Sequence, residues 1–532
     1  MGACFPYEEQ THFFAFSGTY AQSLMLRPGG VALWLSEFLT QFGYIPMLGA
    51  ATMTLVYALL FFATFIFMEQ MGAHRCVRLC ALYPVLVLMS VCLFSLQVPV
   101  ALLITLTAII SVGKISNLQV RAWVLFLLVP VIYLVAGSQA FIVVGLYPFL
   151  VAPYPRRWLM WGGVLLCALL LPVAVMKFVQ YPLWNLYVGI NDVALKTPVD
   201  KLYYWSMGVY LFIPMFARVV DCKKVYFMFA SVGFAAVGLI YPVQSFNTQL
   251  NNVLQYDYLV RHQEWDKIIE HAETHPSKHS MSVVSVNLAL AMTGRLESDL
   301  FKYPQNGCEG LLENTGQKHV ASFPVIDAYH RIGLTEVARR GAFEFQESLP
   351  YGRKSGRCMK YLAETTADGG NDALSARYRR LLSKTLFYSL EDESQKRVGK
   401  QLPDSLATKM FFYYDMPNWL QSICESDRNN RVARQYFVAW LLLSCDMERF
   451  MQAMPLLAEL YSAEAVPVPV MEAVAYLALQ NDIAIDSMPI KVSQGVLDSL
   501  GKFIGRVRSG VSSEVLRSEF PHSFWTYLVT KR

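Results

Sequence analysis

Tyr44 to Met68 reads YIPMLGAATMTLVYALLFFATFIFM, an apolar run without a charged residue. The hydrocarbon core of a bilayer, about 30 Å thick, is crossed by roughly 20 apolar residues in helical form. The run therefore predicts a membrane-spanning helix. Further apolar runs follow at 80–95, 98–113, 122–137, 140–153, 158–176, 203–219 and 225–243, which brings the expectation to about eight spans. The paired short runs are broken near Pro99 and near Gly137. They predict tight hairpins or broken helices buried by neighbours, because lipid leaves no backbone polar group unpaired.

Composition agrees with this start. Of 532 residues, 55% are hydrophobic and 16% charged, with a mean hydropathy of +0.34, which is too apolar for one water-soluble fold. Charged residues between Tyr44 and Val243 come only in short clusters between apolar runs, whereas beyond Ser245 they are scattered continuously. The net charge of +5 is modest and much of it flanks apolar runs, so it speaks of membrane orientation and gives no basis for a nucleic-acid partner.

Arg75 and Arg78, Lys114 and Arg121, Arg156 and Arg157, then Arg218, Lys223 and Lys224 fall in every second loop, while the intervening loops hold only Lys177, Lys196 and Lys201. Cytoplasmic loops carry the Lys and Arg excess. The predicted location is a bacterial inner membrane, multi-pass, with the lipid bilayer as partner and everything after about Ser245 in the periplasm. The same assignment puts the N-terminus outside, although Met1 to Gln10 holds neither a signal peptide nor a span, so an upstream helix is expected to be missing. No Asp, Glu, Lys, Arg or His lies in the middle of a predicted span, which argues against a proton- or sodium-coupled transporter. Pro84, Pro130, Pro148, Pro172 and Pro214 predict kinked helices.

Between the start and the first span lies GGVALWLSEFLTQFG, residues 29–43. Val31, Trp34, Leu35, Phe38, Leu39 and Phe42 repeat at helical spacing, with Ser36, Glu37, Thr40 and Gln41 on the opposite face. The pattern fits a helix lying in the membrane interface, and equally an amphipathic helix packed on the spans.

From Asn247 onward the chain reads as short amphipathic helices separated by Gly, Pro or charged breaks, without alternating β-branched runs. VLQYDYLVRHQEWDKIIEHAETHP pairs a helix carrying Tyr256 and Leu259 with one carrying Trp265, Ile269 and Ala272, and resembles a degenerate tetratricopeptide repeat. AYHRIGLTEVARRGAFEFQESLP is a second such unit, with Tyr329, Gly333, Ala338 and Ala342 at close-packing positions. Stacked repeats present a surface that binds a protein partner; the alternative is that these helices cap the membrane domain. The predicted organisation is all-α: an external segment over 1–43, a polytopic transmembrane helical domain over 44–245 and a soluble periplasmic α-solenoid, tetratricopeptide-like, over 246–532.

Sites with chemistry are few. The ten cysteines include no CxxC pair, and Cys308, Cys358, Cys424 and Cys445 are expected either as buried thiols or as pairs in an oxidising compartment. His271, His275 and His279 recur every four residues, but Pro276 interrupts the face, so a solvated helix end is expected there rather than a metal site. Gly-rich phosphate loops, GxSxG and HExxH are absent from the sequence. Glu8 and Glu9 remain as candidate catalytic residues, adjacent acids ahead of the interfacial helix. In outline the chain resembles membrane glycosyltransferases of the lipid-donor type, which carry an acid at the outer end of the first span. That resemblance implies a carboxylate acting as general base, or holding a divalent metal against a lipid pyrophosphate; outside it, no cofactor is expected.

LRPGG followed by FLTQF, ARYRRLLSKTLFY from Ala376, and NRVARQYFVAWLLLS from Asn430 resemble an uncharacterised family of multi-spanning proteins of the Bacteroides group, domain of unknown function 6057, over nearly the whole chain. The resemblance implies an N-terminal membrane domain, a helical-repeat C-terminal domain and a preceding span that this sequence lacks. It brings no activity with it. Two expectations stand: an envelope scaffold whose repeats bind a partner, and a glycosyltransferase-like enzyme using a lipid-linked sugar donor.

Overall fold

The computed structural model describes residues 2–82, 84–86, 88, 95–188, 208, 210–213, 248–313, 322–349, 352–389, 413–462 and 464–531. Among the described residues every regular element is a helix, and the one β-bridge, Asn306 to Cys308, is isolated. The chain forms two compact units. The first takes Met1–Thr248 together with two later segments, Leu349–Arg357 and Leu381–Ser389; the second takes Gln249–Ser348, Cys358–Arg380 and Leu390–Arg532.

In the first unit α1 (Cys4–Gln10), α2 (Gly18–Met25) and α3 (Gly30–Thr40) precede α4 (Pro46–Gln70), whose Pro46 occupies the first turn, where its missing N–H costs nothing. Leu55, Leu59, Phe62 and Ile66 stand exposed on one side of α4, while Val56, Leu60, Ala63 and Phe67 are buried on the other. A helix apolar all round but exposed on one face suits a hydrocarbon surround. The unit continues with α5 (Gln97–Gly113), α6 (Leu118–Ala136), α7 (Ala140–Leu150) and α8 (Arg157–Val175).

Three helical stretches among the described residues are long and apolar enough to cross a membrane: Pro46–Gln70, Leu118–Leu150 and Arg157–Val175. They coincide with four of the eight apolar runs expected from the sequence: 44–68, the pair 122–137 and 140–153, and 158–176. The run at 225–243 lies outside the described residues, as does that at 203–219 apart from residues 208 and 210–213, and the run at 80–95 is described only in part, starting in the 3-10 turn Leu79–Ala81. The 17 residues of α5 fall short of a straight crossing at about 1.5 Å per residue.

The stretch Leu118–Leu150 folds back on itself. Tyr147 donates its hydroxyl to the Ala122 carbonyl at 3.2 Å, and Arg121 Nη1 donates to the Leu150 carbonyl at 3.1 Å, so α6 and α7 are antiparallel arms. Their turn is Gly137, at φ +71°, followed by a 3-10 turn through Gln139. The turn removes helical partners from nearby carbonyls, and the N–H of Gly29 meets those of Tyr133 at 3.1 Å and Leu134 at 3.0 Å. Gly29, itself at φ +73°, comes so close that a Cβ on it would lie 3.2 Å from the Gly137 nitrogen. The two glycines thus let the segment leading into α3 satisfy the hairpin's tip backbone to backbone.

At the other end Gln70 Nε2 donates to the Ile110 carbonyl at 2.9 Å and Arg121 Nε to that of Ile115 at 2.9 Å. The ends carrying Arg75, Arg78, Lys114, Arg121, Arg156 and Arg157 therefore gather on one side of the bundle. The opposite end holds α1–α3, Gln97 and Gly137, with Gly29, Gln97 and Gly137 lining one cavity.

The second unit is a set of helical hairpins. Trp265–Thr274 packs on Ser280–Met292, Phe323–Ile332 on Thr335–Ser348, and Met416–Ser426 on Arg431–Ser444. Its core is continuous and draws on residues far apart in the chain: Gln435 donates to the Ala291 carbonyl and accepts from the Leu296 N–H, both at 3.0 Å. Tyr256, Ile269, Ala272, Tyr329, Ala338 and Ala342, assigned to packing positions by spacing, are buried.

Candidate functional site

The site grows from the last turn of α1 and the extended residues after it. α1 lies against the start of α4 through Phe5, whose side chain approaches Gly49 to the point that a Cβ there would meet it at 3.0 Å. This fixes the direction of Glu8 and Glu9. Adjacent helical residues point about 100° apart, and the two acids part company accordingly. Glu8 lines a cleft with Leu39, Thr40, Gly43, Gly49, Met53 and Leu96, beside the first turns of α4. Glu9 is buried, lines a different cavity with His12, Phe14, Glu37 and Gln41, and accepts a hydrogen bond from the Tyr388 hydroxyl at 2.9 Å. Glu9 is closed off from water, whereas Glu8 is part-exposed at its cleft.

Glu8 belongs to a chain of charges. Its Oε1 lies 3.2 Å from His12 Nε2, His12 Nδ1 lies 3.0 Å from Glu37 Oε2, and Arg353 Nη2 lies 3.7 Å from Glu37 Oε1. His12 and Glu37 are buried, and the side chain of Arg353 is 11% exposed, whereas that of Glu8 is 32% exposed. Burial alone would lower the imidazole, but the charge of Glu37 and the hydrogen bonds that His12 donates to both carboxylates outweigh it and hold His12 up at about 9. Burial would raise Glu8 and Glu37, yet His12 and Arg353 hold both below the usual carboxylate range. At neutral pH two cations face two anions. Both ring nitrogens of an imidazolium donate, one to each carboxylate, so Arg353 Nη1 at 3.4 Å from Nε2 is a neighbour and not a hydrogen-bond donor to it.

These contacts fasten residues 8–16 to the two later segments of the same unit. Arg357 Nη1 donates to Gln10 Oε1 at 2.6 Å and the Ser355 hydroxyl to the Gln10 carbonyl at 2.5 Å. The N–H of Gly356 reaches the His12 carbonyl at 3.3 Å, and that of Phe16 reaches the Lys384 carbonyl at 2.7 Å.

α3 stands the opposite way round from a helix in water. Ser36, Glu37, Thr40 and Gln41, its polar face, are buried, while Trp34, Leu35, Phe38 and Leu39 are only half-buried. Phe14, Phe16, Trp34, Phe38 and Phe42 form a connected aromatic layer, with ring centroids 5.1–6.4 Å apart along its links. Sequence spacing identified this polar face but gave it to the outside, and so passed over Glu37. His12 and Arg353 carried no pattern at all, since the contact joins residues 341 apart.

The divalent metal implied for the acid pair does not fit these residues. Glu8 and Glu9 face different cavities, and among the described residues no group of three or more His, Cys, Asp or Glu is placed to hold a metal. In the second unit His271 Nε2 bonds Asn252 Oδ1 at 2.6 Å, and His279 Nδ1 accepts the Met281 N–H at 3.3 Å, capping a helix. Cys308, Cys358, Cys424 and Cys445 stand as thiols rather than disulfides.

The raised imidazole has a stability consequence with a definite sign. A group whose folded value is about 9 against an ordinary 6.5 stabilises fully below 6.5, and that stabilisation is lost as pH rises through 9. The melting temperature of the detergent-solubilised protein is expected to fall between these limits. His12→Gln should flatten that segment of the profile; an unchanged slope would mean that the imidazole is not held charged.

Comparison with curated proteins and with solved structures gives no match. A family model does match, from residue 2 to residue 531, and by that extent the chain belongs to the family of unknown function DUF6057.

Proposed function

We propose that the chain is a multi-pass protein of the bacterial inner membrane, and that it acts at the outer face as a glycosyltransferase-like enzyme on a lipid-linked sugar, with Glu8 as the base. Gathering of the basic residues at one end of the bundle supports the orientation, since that end would be cytoplasmic. The observation that carries the activity is the state of Glu8: among the acids here, Glu9 and Glu37 are buried, and Glu8 alone is part-exposed at a cleft beside the outer end of a span. His12 behind it keeps it ionised at neutral pH. In the step proposed, the acceptor hydroxyl oxygen bonds to the anomeric carbon and its proton passes to the Glu8 carboxylate. The bond from that carbon to the phosphate oxygen breaks, its electron pair leaving with the lipid phosphate. The cleft, about 20 Å³, has room for about one water and is smaller than a sugar, so a donor needs it to widen.

The test compares lipid-linked sugars, by mass spectrometry, in cells with the intact gene, a deletion, and Glu8→Gln. Accumulation of one donor, severalfold, in both altered strains with the Glu8→Gln protein at normal abundance is the expected result. Unchanged donors in the deletion strain would overturn the enzyme. A second reading, an envelope scaffold whose periplasmic helices bind a protein partner, is favoured by the helical hairpins of the second unit, and that outcome would redirect work to it.

A further inference from the structure

The inside-out burial of α3 asks what medium its half-buried apolar side meets. Phe16, Leu26 and Met47 are strongly exposed, at 56%, 71% and 83%, and so is Leu386, at 48%, from a segment more than three hundred residues further along. In water this is a costly set of side chains to leave uncovered. Its placement says what covers it. The ring of Phe387 stacks on Tyr44 at 4.9 Å, nearly parallel at 5°, and Tyr44 immediately precedes Ile45 and α4, the first apolar helix long enough to cross a membrane. The Phe16 N–H donates to the Lys384 carbonyl, and Phe16 meets Phe38 of α3 edge-on. Leu386 thus stands where the apolar surface of α4 begins, continuous with it, and Lys384 two residues earlier is exposed, a cation at the depth where lipid phosphates lie.

We propose that the segment around Leu386, although it comes from the second half of the chain, is seated in the outer leaflet of the bilayer, with Phe16 and Leu26 as its partners in contact with acyl chains. Interfacial elements of this kind sink about 5–10 Å into the headgroup and acyl boundary. The segment is therefore a membrane contact of its own, separate from the spans. Since Leu386 and Phe387 also wall the cavity of Glu9, His12 and Glu37, a ligand reaching that cavity would arrive along the bilayer. The inference rests on α4 crossing a membrane and not on the chemistry proposed for Glu8.

The full-length protein is reconstituted in nanodiscs of phosphatidylethanolamine and phosphatidylglycerol, with a benzophenone amino acid replacing Leu386, Leu26 or, as a reference, exposed Val507 of the second unit. After irradiation, intact mass is expected to show phospholipid adducts severalfold more abundant at 386 and at 26 than at 507. Adducts at 386 no more abundant than at 507, or cross-linking of one copy of the chain to another, would overturn the proposal. Should the 386 protein fail to fold, position 26 decides alone. Loss of glycosyl transfer by Glu8→Gln neither helps nor harms this result, so the two proposals fail separately.

Discussion

Replacing Glu37 with alanine should destabilise the first unit by about 3–5 kcal/mol, the usual consequence of removing one partner from a buried ion pair. Glu37 is bonded to the His12 imidazolium and stands against Arg353, so its loss leaves two cations and the single, part-exposed carboxylate of Glu8. One of those cations must then be desolvated without compensation. Glu37→Gln keeps the shape and one hydrogen bond, and is expected to cost less. Thermal unfolding followed by tryptophan fluorescence in detergent checks both, and a double-mutant cycle with Arg353→Ala isolates the pair. A loss below about 1 kcal/mol for Glu37→Ala, the range of exposed pairs, would mean that water reaches the cluster freely.

Gly30→Ala is expected to be the most damaging small substitution in the outer segment. A Cβ at Gly30 would collide with the Leu24 carbonyl oxygen and stand 2.8 Å from the Met25 Cα, all backbone, which has no flexible end to swing aside. Overpacking of this kind costs about 1–3 kcal/mol and at times more, and here the turn joining α2 to α3 must shift as a whole. Glu37 lies two turns along the same helix, so the displacement reaches the charge cluster. Gly18→Ala is the matched control: nothing lies within 4 Å of its Cβ, and alanine favours the helix start there. The measurement is the melting temperature of each variant. If Gly30→Ala melts with Gly18→Ala, the close approach of the turn is wrong.

Much of the helical content was legible because hydrophobic periodicity reports it directly: the long apolar helix over Tyr44 to Met68, the break near Gly137, and the paired helices around Tyr256 and Tyr329 all sit where spacing put them. The break near Gly137 left a tight hairpin and a broken helix both open, and the contacts of Tyr147 and Arg121 show α6 and α7 to be the antiparallel arms of a hairpin. The site was legible in part. Glu8 and Glu9 were found as an acid pair, but their divergence depends on how α1 meets Gly49. An amphipathic pattern gives the angle between two faces and leaves open which one meets the protein, so Glu37 was assigned outward. Arg353 and Tyr388 are contributed by long-range closure, which no local pattern encodes.

That closure sets a schedule for biosynthesis. A ribosome adds about 5–20 residues per second, so the 341 residues between His12 and Arg353 take roughly 17 to 70 seconds to appear. For that interval Glu8, Glu9 and Glu37 have no arginine, serine or tyrosine from the later segments, and they wait hydrated. A nascent chain halted before residue 349 would carry the three stretches that, among the described residues, are long and apolar enough to cross a membrane, and still lack the fastening of its own beginning. Completion of the N-terminal segment is thereby a late event, and truncated products would be open to proteolysis at residues 8–16, a stretch that in the finished molecule is tied down by the later segments.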